Sequence, residues 1–255
     1  MKIDIAAAIN NENMLKENLL RSDFSLTRKF IQLRGYGDAS TALNSAIDQS
    51  DADVLVLVHQ DVYLPLGWFE RLKSNITKLE SESKEWAILG IFGVDALGKH
   101  IGYCWSTGLD KCIGKPFNAP LEARSIDEVL IVLNLKHKLR FDENLKGFHL
   151  YGTDICCNAI SNKVGVYVIN APVIHNSKPV KSLFGSYLKA HLYLRKKWYT
   201  YLPIQNVIVS ITKNCIPLIR FYVKRELKNR VSRKKVNSTH AKRDAIELAK
   251  SLNFE

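Results

Sequence analysis

Val54-Leu55-Val56-Leu57-Val58-His59-Gln60-Asp61-Val62 is the stretch whose reading decides the fold. Five apolar residues, mostly β-branched, run without a polar interruption into a histidine, an amide and an acid. A strand wetted on one face alternates apolar with polar residues, whereas a strand covered on both faces does not. The run therefore predicts a fully buried strand of a sheet with helices on both sides. Ligands of open α/β sheets sit outside the carboxyl ends of the strands. His59, Gln60 and Asp61 fall at that end.

On the N-terminal side, residues 3–9 predict a first strand that ends at Asn10-Asn11, which reads either as a turn or as a nucleotide contact. A short helix around Met14, Leu15, Asn18 and Leu19 and a second strand over 30–33 follow. Gly35-Tyr36-Gly37 is a turn, and Asp38 is placed to N-cap the next helix. Ala39, Ala42, Leu43, Ala46 and Ile47 give that helix one apolar face. The order β-α-β-α-β predicts parallel strands joined by right-handed crossovers.

On the C-terminal side, residues 68–79 predict an amphipathic helix and 86–93 a buried strand. Residues 98–120 are rich in turn formers and read as loops or a small hairpin over a site. Residues 129–133 are again strand-like. Gly152-Thr153 starts a helix ending near Asn162-Lys163, and Asp154 lies in its first turn. The helix dipole there stabilises an acid by about 0.3–1 kcal/mol, a structural reason sufficient for Asp154. After a strand over 166–169, His175 follows the apolar run 171–174. His59, Asp61 and His175 thus all follow buried strands, which points to convergence.

The 255-residue chain suits one α/β domain, or one with an appendage. Met1-Lys2 leads directly into the first strand, so no signal peptide is read. The longest C-terminal run free of charged residues and histidine, 198–212, has 15 residues. A span needs about 18–20, so no transmembrane helix is expected. Five cysteines without C-x-x-C spacing suit a reduced, cytosolic compartment. The net charge of +12 is uneven: residues 213–243 carry 11 Lys and Arg against one acid, Glu226, while residues 1–177 are close to neutral. The basicity belongs to the last third and to a separate role.

Three blocks in order resemble the family-2-type glycosyltransferases of GT-A fold. They are closest to a bacterial branch in which H-Q-D-V replaces the usual D-x-D. The blocks are His59-Gln60-Asp61-Val62; Phe141-Asp142-Glu143 through His149-x-Tyr151-Gly152-x-Asp154; and Pro172-Val173-Ile174-His175-Asn176-Ser177. The likeness covers about residues 1–200. It implies a GT-A-like (Rossmann-like), mostly parallel central sheet flanked by helices over 1–200, to which the charge and pattern of the last third add a basic helical extension over 201–255. It also implies sugar transfer from a nucleoside-diphosphate sugar to a glycan or lipid-linked acceptor, with inversion and a divalent cation, Mn²⁺ or Mg²⁺. By resemblance Asp61 and His175 are metal ligands, with His59 a further ligand, a phosphate contact or a shaper of the loop. Asp154 is the catalytic base. Asn10, Asn11, Asp38, His59, Gln60 and Asp61 face the donor; Asp142, Glu143, His149 and Tyr151 face the acceptor. Two departures stand: His59 replaces an acid, and Thr153 stands where many members carry Glu.

In the basic third, residues 183–198 predict a helix with Leu183, Phe184, Tyr187, Leu188, His191 and Leu192 on one side. Residues 207–235 mix apolar and basic residues and are broken by Pro217. They read either as a segment on the anionic inner face of the membrane or as a solvated helix packed on its own domain. Nothing resembles a nucleic-acid-binding motif, and no nucleic-acid partner is expected. A last helix is predicted over 237–252. Other readings remain open: a noncatalytic GT-A-like nucleotide- or glycan-binding module, a basic membrane- or nucleic-acid-binding protein on an α/β scaffold, and a nucleotidyltransferase.

Overall fold

The computed structural model describes residues 1–177, 185–232 and 244–255. In chain order the strands and helices are β1 (Ile3–Ile9), α1 (Glu12–Glu17), β2 (Lys29–Arg34), α2 (Ala39–Gln49), β3 (Val54–Val58), β4 (Val62–Tyr63) and α3 (Trp68–Ser81). Next come β5 (Trp86–Gly90), β6 (Phe92–Val94), β7 (His100–Ser106), β8 (Lys111–Gly114), β9 (Leu121–Glu122), β10 (Ser125–Ile126) and β11 (Leu130–Asn134). The rest are α4 (Tyr151–Ser161), β12 (Gly165–Val168), β13 (Ile174–His175), α5 (Ser186–Lys197), α6 (Ile216–Ser232) and α7 (Ala245–Ser251).

Among the described residues the central sheet runs β2-β1-β3-β11-β5-β12-β9. Strands β2, β1 and β3 are parallel neighbours, as are β5 and β12; β11 lies antiparallel between β3 and β5. The alternation of β3 explains its unbroken apolar run. Leu55 and Leu57 face the layer formed by α2, α4 and α5, while Val54, Val56 and Val58 face α3. Both faces are covered, so neither tolerates a polar residue. On the first side Ala42, Ala46, Ile155, Ala159 and Leu194 close the core; on the second Trp68, Leu72, Ile76 and Leu79 do. The chain is a mostly parallel α/β sheet flanked by helices, of GT-A-like architecture.

A second sheet, β10-β6-β7-β13-β4 with β8 on β7, stands at the carboxyl end of the first. The single strand expected over 86–93 is two, and the chain changes sheet at Ile91. Gly90 and Gly93 permit this crossing: a Cβ on Gly93 would lie 2.4 Å from the Ser125 carbonyl oxygen. Residues 98–120 contain the β7–β8 hairpin.

Asp38 occupies the N-cap position of α2, but its carboxylate does not cap the helix. It accepts instead from the backbone N–H of Gly147, at 2.6 Å. On α5, Tyr187, Ala190, His191 and Leu194 are buried, but Leu192 is 43% exposed and lies off the buried face. Leu183 and Phe184 lie outside the described residues, as does the 237–243 part of the last predicted helix. Residues after 200 join the main core through Leu202, Ile204, Ile211 and Leu218. Helix α7 packs Ala245, Leu248 and Ala249, with Phe254 beyond it, on Tyr63, Trp105 and Ile174 of the second sheet.

Candidate active site

The polar residues after β3 form a turn closed by the bond from the Val62 N–H to the His59 carbonyl, 3.2 Å. That turn hands the chain from the first sheet to the second, where Val62 pairs with His175 across β4 and β13. A further bond, Asn176 N–H to the Asp61 carbonyl at 2.9 Å, fixes the register. Strand pairing therefore sets His175 beside Asp61, with Nε2 3.5 Å from Oδ1. The ring centroids of His59 and His175 are 5.9 Å apart, edge to face. The ligand atoms of His59, Asp61 and His175 all lie within 4.8 Å of one another.

Burial alone would raise the Asp61 carboxyl, but the His175 hydrogen bond and the two imidazoles outweigh it and hold it at about 2. Burial likewise lowers His175, and the bond and charge of Asp61 reverse that and raise it. His59 is lowered, chiefly by burial. Its Nε2 lies 3.1 Å from the Tyr151 hydroxyl, which also reaches the Glu128 carbonyl at 3.4 Å. When the phenol proton goes to that carbonyl, His59 donates from Nε2 and its Nδ1 keeps a lone pair. Two imidazoles and one carboxylate around a common point fit a divalent cation. The two nitrogen ligands make the set a poor match for Mg²⁺, which prefers oxygen.

Beside this cluster opens a cleft of about 500 Å³. Its lining is polar at Asn10, His59, Gln60, Asp61, Glu128 and Tyr151 and apolar at Leu33, Leu43, Leu57 and Ile131, with the rings of Tyr36 and Phe148. The Gln60 carboxamide accepts from the backbone N–H groups of Asn10 and Asn11, at 3.1 and 3.0 Å, tying the ends of β1 and β3 together. Asn11 caps α1 through its side chain, which accepts from Asn13 and Met14. Asp38 does not line the cleft and is paired with Lys146 at 3.4 Å.

Asp154, Asp142, Glu143 and His149 also lie outside the lining. Asp154 is 3% exposed. One of its oxygens accepts from Lys197 Nζ at 2.8 Å and the other from Trp198 Nε1 at 2.6 Å. Burial raises its pKa against both bonds. Lys197 also reaches Asp142 at 2.7 Å, and the Tyr193 hydroxyl donates to the same carboxylate. Glu143 accepts from Asn44 at 2.9 Å, and His149 packs edge-on to Tyr187.

Glu128 is the site residue that the sequence reading passed over. Burial and the neighbouring Asp127 push its carboxyl up to about 8, against bonds from the Gly152 and Leu150 backbone. The available signal was the pair Asp127-Glu128 directly before the apolar run of β11, a polarity switch like that after β3 but at the other end of its strand.

No protein-family model matches the chain. A curated sequence relative, "ATP synthase subunits region ORF 6" of Fuscovulum blasticum, is 25% identical over 135 residues, 49% of this chain and 52% of the relative. The chain thus spans about half the length of that relative. Among solved structures, residues 1–349 of S. aureus TarS in complex with UDP-GlcNAc superpose with a TM-score of 0.52 at 14% identity, over 80% of this chain and 67% of that one. A longer TarS structure gives 0.48 at 15% identity, over 77% of this chain and 39% of its own length. At 14% identity the superposition on the TarS 1–349 complex shows the fold alone, a GT-A-like α/β architecture.

Proposed function

We propose that the protein transfers a sugar from a nucleoside-diphosphate donor to a hydroxyl of a glycan or lipid-linked acceptor. The observation that carries this is the His59–Asp61–His175 cluster, of which His59 and Asp61 line a cleft outside the carboxyl ends of β1 and β3, in a GT-A-like fold. The complex of TarS with UDP-GlcNAc supports the donor class. A divalent cation, when bound, supplies a Lewis acid for the charge that builds on the departing diphosphate. Asp61, His175 and His59 would hold it, and Tyr151 orients the His59 ring. Gln60 keeps the ends of β1 and β3 in register under the donor.

The acceptor hydroxyl loses a proton as it attacks the anomeric carbon, and in-line attack inverts that centre. Asp154 is the base that the motif resemblance implies; to serve, it must first be released by Lys197 and Trp198. One observation favours a second assignment, Glu128: it is the carboxylate besides Asp61 that lines the cleft. Comparing transfer by Asp154→Asn and Glu128→Gln separates the two. The variant that keeps donor binding and loses transfer marks the base.

The test of the whole reading is thermal stability with UDP, GDP, dTDP and CMP, with and without Mn²⁺, followed by turnover of the matching sugar donors. A ligand at about 100 times its Kd adds roughly 2.7 kcal/mol, enough to raise Tm by a few degrees. One nucleotide should do so with Mn²⁺ in the wild type and not in Asp61→Ala. A folded protein that responds to none and turns over no donor would overturn it.

A further inference from the structure

Helix α6 is apolar on two opposite faces. Leu218 is buried, and Phe221 and Tyr222 pack partly against the main core. On the other side Ile216, Ile219, Val223 and Leu227, spaced by three, four and four residues, form one stripe along the helix. They are 52%, 58%, 54% and 58% exposed. A helix that packs on its own domain and faces water carries polar residues there. Arg220 and Lys224, both exposed, run along one edge of the stripe, and the exposed Glu226 falls at the other. At the start of the helix Tyr199 is 55% exposed, with Lys213 Nζ 5.8 Å from its ring centroid. Arg195 anchors this end by donating to the Lys213 carbonyl, 2.5 Å away.

We infer that α6 is a membrane-surface helix. It lies in the headgroup layer of an anionic bilayer, with Ile216, Ile219, Val223 and Leu227 inserted and Arg220 and Lys224 on lipid phosphates. The charge of the segment selects this occupant. Among the described side chains here Lys213, Arg220, Lys224 and Arg225 stand against Glu226, and the sequence over 213–243 carries 11 basic residues against one acid, so anionic lipid complements this segment whereas a second copy of it would repel. Apolar side down with basic residues at its edge is the arrangement of an interfacial helix, whose lysine and arginine stems reach up to the phosphates. Tyr199 suits the headgroup level, where a ring with a polar tip sits between oil and water. The helix lies on the bilayer rather than across it: no helix among the described residues is long and apolar enough to span one. The inference does not depend on the donor chemistry.

The test is flotation of the full chain with phosphatidylcholine vesicles, with and without phosphatidylglycerol. It compares the wild type with Ile219→Asp/Val223→Asp and Arg220→Glu/Lys224→Glu, each checked by thermal melting and light scattering. The substituted side chains are exposed, so Tm should not change. The wild type should float with the anionic vesicles and much less with the neutral ones. Each double variant should lower the partition coefficient about tenfold or more. Three results would overturn the inference. One is a wild type that stays in solution with anionic vesicles. Another is an Ile219→Asp/Val223→Asp protein that floats as well as the wild type. The last is a dimer that this variant splits while vesicle binding is unchanged, which would assign the stripe to a second copy.

Discussion

Glu128 shows how a single side chain can set a pH response. Its folded-state pKa, about 8, lies above the ordinary 4.5, so the folded state holds a proton that the unfolded chain has released. Linkage then makes stability fall as pH rises from about 4.5, where the unfolded chain begins to release the proton, to about 8, where the folded state does. Glu128→Gln keeps the shape without the charge. It should flatten the fall and be more stable than wild type at pH 8 by about 1 kcal/mol or more, measured by urea unfolding at pH 5 and pH 8. A parallel pair of curves would show that Glu128 ionises as freely as a surface acid. His59, Asp61 and His175 were legible in the sequence because each breaks an apolar run at a strand end. Glu128 was not, because it stands before its strand. Only the antiparallel insertion of β11, which pairs Leu130 with Val58, carries that N-terminal end to the carboxyl end of β3.

Between elements, Lys197 on α5 joins two carboxylates from elsewhere, Asp142 at 2.7 Å and Asp154 at 2.8 Å, and is itself 28% exposed. Removing a partner from a buried pair leaves the remaining charge uncompensated, which costs about 3–5 kcal/mol. Lys197→Met should therefore lose about 3 kcal/mol, and Tyr193→Phe, which removes one hydrogen bond to Asp142, nearer 1 kcal/mol. Equal, small losses in chemical denaturation would mean that the cluster is solvated. The β7–β8 hairpin makes a different demand. Gly102 has φ +114°, and a Cβ there would lie 2.3 Å from the Ile91 carbonyl oxygen. Gly102→Ala should cost about 2 kcal/mol or more, visible as a lowered Tm. Helix periodicity made α2, α3 and α4 readable. The hairpin was open to two readings, because turn formers mark a reversal without saying whether strands pair across it.

Across the whole molecule, the C-terminal helix supports the site from behind. Phe254 is 1% exposed and packs, with Leu248, against Tyr63 and Ile174, the strand neighbours of Val62 and His175. Phe254→Ala should destabilise by about 3–5 kcal/mol. Because β4 and β13 hold Asp61 beside His175, it should also weaken the Mn²⁺-dependent rise in Tm, read by the same melting assay. A full Mn²⁺ response in that variant would separate the support from the site. The sequence alone determined a covered parallel sheet, since an unbroken apolar strand such as β3 has no stable place at a wetted face. It also determined that polar residues cluster at strand ends, and that charge is concentrated in the last third. Tertiary structure decided what meets what: His175 with Asp61 through the β4–β13 pairing, Glu128 with the cleft through the reversed β11, Asp154 with Lys197 through the packing of α5. These contacts join residues far apart in the chain. Local propensity and periodicity act within a few residues of each other, so they place the elements but leave such pairings to the energetics of the assembled core.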